Sequence, residues 1–276
     1  MCLIAFAIGA SGQCPLLLAS NRDEFYDRPT APLARWTLPG GAVVLGGRDL
    51  RDGGTWLGIG AQGRVAMLTN VRSARAATGL RSRGELCTRW LAGDTDLDAL
   101  AAGIAPADYG GFNLVVGDLA SGRWHWLSNR DPARPHEDAA APNLHCQPLA
   151  PGVHGLSNAA LNTPWPKTQR LRQAVAESLD GLTRPGWQRP LTQALADTGA
   201  ADPADLPSTG VPPDVERQLS SPFVHMAERG YGTRSSLVLR VQAGAAGRWR
   251  AELQEWTHGP QSPGWSAGPR RAELAD

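Results

Sequence analysis

The sequence predicts an α+β fold in which antiparallel sheets are covered by helices. Three observations point to it. Apolar runs joined in pairs by short turns fall at the start, middle and end of the 276 residues. Stretches with helical spacing lie between them, as at Leu171, Val175 and Leu179. No Gly-x-Gly-x-x-Gly follows a strand and opens a helix, and no Walker loop is present, which argues against a doubly wound parallel sheet.

Residues 2–8 and 15–20 read as the opening hairpin, turned by Gly9-Ala10-Ser11-Gly12. An extended stretch punctuated by Pro29, Pro32 and Pro39 follows, then a short strand at 42–45. Gly46-Gly47-Arg48-Asp49 and Asp52-Gly53-Gly54 read as turns. A second hairpin covers 55–60 and 64–69 and ends on Asn70. Ser82 and Glu85 have capping-box spacing for a helix over 83–91, and 97–102 is a second helix. Residues 112–118 and 123–128 form a third hairpin, and 130–150 is mostly loop. A strand at 152–158 again ends on Asn, and helices follow over 167–179 and 190–196. Residues 200–222 read as a long surface excursion, with an interdomain linker as the alternative. The last hairpin pairs 234–241 with 249–256. We expect one domain over 1–258 and a disordered tail over 259–276.

Composition narrows the function classes. Lys+Arg 27 against Asp+Glu 26 gives no broad basic footprint for nucleic acid or an anionic membrane. No apolar stretch reaches transmembrane length, and the N-terminus lacks the basic region of a secretory signal. Cys2, Cys14, Cys87 and Cys146 form no CxxC and too sparse a set for a disulfide framework. These features set the expectation of a reducing, cytoplasmic setting. Trp 10 against Tyr 3 and Phe 4 means either that Trp fills the core or that some Trp line an apolar pocket.

Cys2 is the first candidate for chemistry. Loss of Met1 would leave a thiol and a free α-amine on one residue. The amine's reference pKa of about 7.7–8.0 and the thiol's of about 8.5 let the amine act as base toward its own nucleophile. Arg22 would lower the thiol pKa, and Asp23 would orient the ammonium. The competing reading makes Cys2 a small apolar residue of an edge strand. Asn70 and Asn158, each at a strand end, read as oxyanion-hole donors or as ordinary turn residues. Arg234, opening the last long strand, reads as a carboxylate clamp or as an edge arginine after a turn. His154 beside Asn158 is left out of the mechanism. His125, between Trp124 and Trp126 on a strand, faces away from both and is a weak candidate haem ligand. The His and Cys residues show no zinc spacing, so no metal is expected.

The motifs in order are Met1-Cys2-Leu3-Ile4, Ala19-Ser20-Asn21-Arg22-Asp23-Glu24-Phe25-Tyr26-Asp27-Arg28-Pro29, Gly53-Gly54-Thr55-Trp56-Leu57-Gly58-Ile59, Leu68-Thr69-Asn70, Arg83-Gly84-Glu85-Leu86, Gly111-Phe112-Asn113-Leu114, His154-Gly155-Leu156-Ser157-Asn158-Ala159, Thr163-Pro164-Trp165-Pro166-Lys167 and Tyr231-Gly232-Thr233-Arg234. With these the sequence resembles the NRDE family, also called the transport and Golgi organisation protein 2 family. The resemblance implies a role around haem trafficking and lipid or acyl-CoA homeostasis. More distantly, the chain looks like N-terminal nucleophile hydrolases of the choloylglycine hydrolase and penicillin V acylase type. That likeness implies a four-layer αββα sandwich, cleavage of non-peptide amides, and Cys2, Arg22, Asp23, Asn70, Asn158 and Arg234 as the catalytic set. One departure matters: Arg22 and Asp23 are adjacent here, whereas the hydrolases separate the equivalent pair by two residues. Adjacent strand residues face opposite ways, so both serve one site only if the strand has ended.

Two main readings follow. One is an N-terminal cysteine hydrolase of an amide or thioester with a small apolar or acyl group. The other is a non-enzymatic haem or acyl-lipid carrier on the same scaffold, with haem as ligand or cargo. A third makes the segment around Arg22 purely structural in an assembly protein. The expected partner in the first two is a small molecule.

Overall fold

The computed structural model describes residues 2–74, 79–137, 140–261, 265 and 268–276. Fourteen strands and five α-helices are built from them. In chain order the strands are β1 (Cys2–Ser11), β2 (Cys14–Phe25), β3 (Thr30–Thr37), β4 (Val43–Asp49), β5 (Leu57–Gly60), β6 (Arg64–Asn70), β7 (Phe112–Asp118), β8 (Arg123–Ser128), β9 (His145–Pro148), β10 (Gly152–Leu156), β11 (His225–Met226), β12 (Tyr231–Ala243), β13 (Trp249–Thr257) and β14 (Arg270–Ala275). The helices are α1 (Gly84–Leu91), α2 (Leu97–Ala102), α3 (Pro166–Ser178), α4 (Arg189–Leu195) and α5 (Pro213–Gln218).

The strands make two antiparallel sheets. One has the order β10-β1-β2-β12-β13-β14, with β11 on β12, and the other runs β3 to β9 in sequence order. β1 and β2 are buried on both faces, which explains their near-continuous apolar sequence. Ile4, Phe6, Leu16 and Leu18 face the core between the sheets, together with Trp124, Trp126 and Trp249. Leu3, Ala5, Leu17 and Ala19 face the other way, against Leu171 and Val175 of α3 and Leu191 of α4. Helix α1 covers the second sheet through Leu86, Trp90 and Leu91, joined by Leu100 of α2. Each fully buried large side chain contributes about 1.5–3 kcal/mol of hydrophobic stabilisation. The result is the expected four-layer αββα sandwich. The many Trp residues are mostly core: Trp90, Trp124, Trp126, Trp165, Trp249 and Trp256 are all buried.

Several local expectations change. Gly46 and Gly47 do not turn the chain; β4 continues through them to Asp49. A Cβ on Gly46 would stand 2.5 Å from the Leu57 carbonyl oxygen, and one on Gly47 would meet the Trp56 ring at 2.3 Å. These glycines answer to close packing rather than to a bend. The Pro-punctuated stretch is strand β3, at a sheet edge where a missing N–H is tolerated. No capping box forms at Ser82, because Glu85 instead pairs with Arg81 at 2.7 Å. Residues 200–222 are not a loose excursion or a linker. They contain α5 and the buried Thr209, Glu216, Ser220 and Ser221.

The tail is corrected as well. Residues 270–275 form β14, pairing with β13 from Arg250↔Ala275 to Glu255↔Arg270. Leu274 is buried in the inter-sheet core, and the alternation Arg271-Ala272-Glu273-Leu274 carries the strand period. The four cysteines form no disulfide. No helix among the described residues is long and apolar enough to cross a membrane.

Candidate active site

Cys2 opens β1 and is paired on both sides. Its register partner on β2 is Arg22, and β10 approaches from the other flank with Ile4↔Leu156. Continued two residues, that register sets Asn158 beside Cys2. Ser157 Oγ donates to the Cys2 carbonyl oxygen at 3.2 Å. Asn158 Nδ2 donates to the Asn70 carbonyl oxygen at 2.8 Å, and the Arg72 N–H donates to the Asn158 carbonyl oxygen at 2.8 Å. The end of β6 in one sheet and the end of β10 in the other are therefore stitched together at the rim where β1 begins. Asn158 is fully buried and Asn70 half-buried. The two Asn-terminated strands do converge, across the gap between the sheets.

The Cys2 thiol is 7% exposed and faces the inter-sheet core. Burial pushes its pKa up, Asp23 and Glu24 add to the rise, and Arg22 opposes it. A thiol in that state is a weak nucleophile unless a base reaches it. Met1, whose loss would create the α-amine base, lies outside the described residues.

Arg22 and Asp23 separate. β2 does not end at Ser20 but runs to Phe25, so the two point to opposite faces. Arg22 shares the inter-sheet face with Cys2. Its guanidinium lies 4.2 Å from the centre of the Trp56 ring, and its Nη2 is 3.9 Å from Asp49. Asp23 sits on the helix-covered face, 1% exposed, where Thr233 Oγ1 donates to its Oδ1 at 2.7 Å. Burial raises the Asp23 pKa, opposed first by the charge of Lys167.

Arg234 is placed by a β-bulge. The β2–β12 register is Thr233↔Asp23 and then Ser235↔Arg22, which leaves Arg234 as the extra residue. The bulge lets Arg234 and Ser235 line the same cleft, with Arg22, Trp56, Thr30, Pro32, Glu255 and Thr257. The cleft measures about 70 Å³. Arg234 thus meets Arg22, not Cys2. A wider depression of about 370 Å³, lined by Leu38, Thr88, Arg89 and Asp94, holds no cysteine.

Sequence reasoning missed a buried ionic cluster on the Asp23 side. Arg72 pairs with Glu216, stacks on Trp165 at 5.0 Å and reaches Asn158 Oδ1 at 3.4 Å. Glu216 also accepts from the Thr209 N–H at 3.0 Å. Lys167, 2% exposed at the start of α3, donates to the Leu219 carbonyl oxygen at 2.8 Å. Burial brings the Lys167 pKa down to about 7; Arg72 adds to the fall, and Asp23 and Cys2 oppose it. Lys167 stood within a quoted motif, but a lysine two residues after a Trp carries no sign of burial. Glu216 had no signal at all. His154 bonds the Ala150 carbonyl oxygen at 2.9 Å and stays outside the cluster. His125 is half-buried on the face of β8 opposite Trp124 and Trp126.

Comparison with known proteins follows the same lines. Residues 1–250 match the family model for Transport and Golgi organisation 2. The bovine Transport and Golgi organization protein 2 homolog is 33% identical over 263 residues, covering 88% of this chain and 89% of its own. The human homolog is 31% identical over 262 residues, with the same coverage. Among solved structures, the mutant C2A conjugated bile acid hydrolase from Clostridium perfringens superposes with a TM-score of 0.51 at 8% identity, covering 99% of this chain and 92% of that one. At that identity the likeness concerns the fold alone. The chain belongs to the Transport and Golgi organisation 2 family.

Proposed function

We propose that the protein is an N-terminal cysteine hydrolase acting on an amide or thioester of a small apolar or acyl substrate. The observation that carries this reading is the meeting of β1, β6 and β10 at Cys2, with Asn158 bonded to Asn70 across the two sheets. That the bile acid hydrolase with this fold was studied as a C2A mutant supports the position.

The proposed mechanism begins with loss of Met1. The Cys2 α-amine takes the thiol proton, and the thiolate sulfur forms a bond to the substrate carbonyl carbon. The carbonyl π pair moves to oxygen, where the second N–H of Asn158 and the side-chain amide of Asn70 donate to the oxyanion. Collapse of the adduct expels the amine or thiol leaving group, which takes the proton from the α-ammonium. Water then hydrolyses the acyl-thioester, with the amine again as base. Arg22 and Asp23 serve different atoms of Cys2 in this scheme. The amine lies in the sheet plane, one register step from Asp23, so Asp23 orients it from the helix side. Arg22 stabilises the thiolate from the inter-sheet side.

The carrier reading draws on one observation: burial raises the Cys2 pKa and so disfavours the reactive thiolate. The cleft beside Arg22 does not fit a haem. Its volume is about 70 Å³, against the roughly 300–1,000 Å³ of sites for larger ligands, and its lining holds no imidazole or thiol. Four unbonded cysteines support a reducing, cytoplasmic setting.

Intact mass and turnover of a medium-chain acyl p-nitroanilide test the proposal together. We expect activity only in chains that have lost Met1, and none in Cys2→Ala. Activity in Met1-bearing chains, or in Cys2→Ala, would sink it.

A further inference from the structure

The cleft next to Cys2 holds two guanidiniums, of which the hydrolytic chemistry uses only Arg22, on its Cys2 side. Arg22 is 5% exposed, and its Nη1 is buried without a hydrogen-bond partner. Its nearest carboxylate, Asp49, stands 3.9 Å away and is already held by Arg28 Nε at 2.6 Å. Arg234 faces the same space. Its Nη1 donates to the carbonyl oxygens of Phe25 at 2.7 Å and Arg28 at 3.1 Å, and it makes no ion pair among the described residues. Two guanidiniums therefore share a small cleft without a direct ion pair on Arg234, and the Arg22 charge depresses the Arg234 pKa further after burial has lowered it, with Glu24 and Asp27 opposing from nearby. A buried donor left unmade is costly, more so for a charged group, and a bound anion would recover that cost.

One acidic residue lines the cleft. Glu255 is 2% exposed, and its Oε1 accepts the Leu33 N–H at 2.7 Å. Burial raises its pKa, opposed first by the hydrogen bond from the Leu33 N–H and then by the Arg270 and Arg22 charges.

We infer that this cleft is a carboxylate subsite, in which Arg22 and Arg234 clamp a carboxylate on the substrate arm remote from the scissile bond. The planar forks of two arginines suit a planar carboxylate, and Trp56 fixes the Arg22 fork by stacking. About 70 Å³ accommodates a head group rather than an acyl chain. Position sets the rest. Cys2, Arg22, Ser235 and Thr257 form one row across four adjacent strands. The centre of the cleft, near Ser235, is two strand spacings from Cys2, about 10 Å. The substrate class is then an amide or thioester whose acyl arm ends in a free carboxylate several bonds from the carbonyl. This inference rests on the hydrolase reading only for the bond that is cut.

The test compares two probes of equal chain length, octanoyl p-nitroanilide and suberic acid mono-p-nitroanilide, on the full mature chain. Binding of suberic acid monoamide to Cys2→Ala is measured in parallel by calorimetry. We expect kcat/KM to favour the suberyl probe by about tenfold or more, the size of one charge-assisted contact. Arg234→Gln should bring the two probes within about twofold and weaken suberic acid monoamide binding by about tenfold. If Arg234→Gln does not fold, Arg234→Lys keeps the charge but loses the fork, and the preference should fall at least about threefold. Equal cleavage of both probes overturns the clamp and leaves the hydrolase standing. Binding of suberic acid monoamide that depends on Arg234, without cleavage of either probe, keeps the clamp and removes the hydrolase. Stronger displacement by inorganic phosphate than by acetate, or no binding at all, overturns the carboxylate assignment.

Discussion

Arg22 and Asp23 are neighbours in the chain and lie on opposite faces of one sheet. The first stacks on Trp56 at 4.2 Å between the sheets; the second accepts a hydrogen bond from Thr233 at 2.7 Å beneath the helices. The strand runs on through both, so the two side chains act from opposite sides on whatever occupies the end of β1. Their variants should therefore fail in different ways, and so should those of the groups around them.

Asn158 tests the oxyanion role. Asn158→Ala removes one donor near the expected oxyanion, and kcat should fall about 10²–10³-fold with KM much less affected. Single-turnover kinetics on an acyl p-nitroanilide check this. A change confined to KM would make Asn158 a strut between β6 and β10 and nothing more.

Thiol labelling under native conditions should sort the four cysteines by burial. Cys146 is exposed and should react with iodoacetamide first. Cys14 is held back by a pKa pushed up to about 11, and Cys87, wholly buried, is shifted higher still. Cys2 should label only in chains that have lost Met1, where its own amine takes the proton. Peptide mass mapping of partly processed protein reads all four at once.

The Arg72–Glu216 pair should show the asymmetry of a buried ion pair. Arg72→Met or Glu216→Leu alone leaves a buried charge uncompensated and should cost about 3–5 kcal/mol. The double variant Arg72→Met with Glu216→Leu should recover much of that loss. Urea unfolding of the four proteins in a double-mutant cycle measures the coupling.

Lys167 should give the protein a pH-dependent stability near neutrality. Its folded pKa is about 7 against 10.5 for the free group. Between those values the unfolded chain binds one proton more than the folded one, so this group's contribution rises with pH through the window. It is lost as pH falls through about 7. From pH 7 to pH 9 the gain should approach about 2 kcal/mol, and Lys167→Met should abolish it. An equal change in stability between pH 7 and pH 9 for the two proteins in urea unfolding would show that Lys167 stays protonated in the folded protein over this range.

Local pattern was enough for most of the architecture. Apolar runs with short turns located the β1–β2, β5–β6, β7–β8 and β12–β13 hairpins, because a strand's alternation and a turn's glycine are written within a few residues. The edges were harder to read. β3 is broken by prolines and β14 is short and charged, and each is a strand because a neighbouring strand supplies hydrogen bonds and Leu33 or Leu274 finds the core. Gly46 and Gly47 carried the composition of a turn and serve instead as a flat surface for Trp56 and Leu57.

The sequence by itself determined the candidate nucleophile and the order of the residues that could attend it. It determined the polar run that ends β2 as well, but not which way each residue faces. Tertiary structure decided that Arg22 faces Arg234 and Asp23 faces Thr233, through one extra residue in β12. It also brought Arg72, Lys167 and Glu216 into one buried cluster from segments 49 or more residues apart. The reason lies in the reach of each kind of information. Periodicity records which face is apolar over a few residues. The register between distant strands, and the charges that become neighbours when water is excluded, exist only once the two sheets have closed on each other.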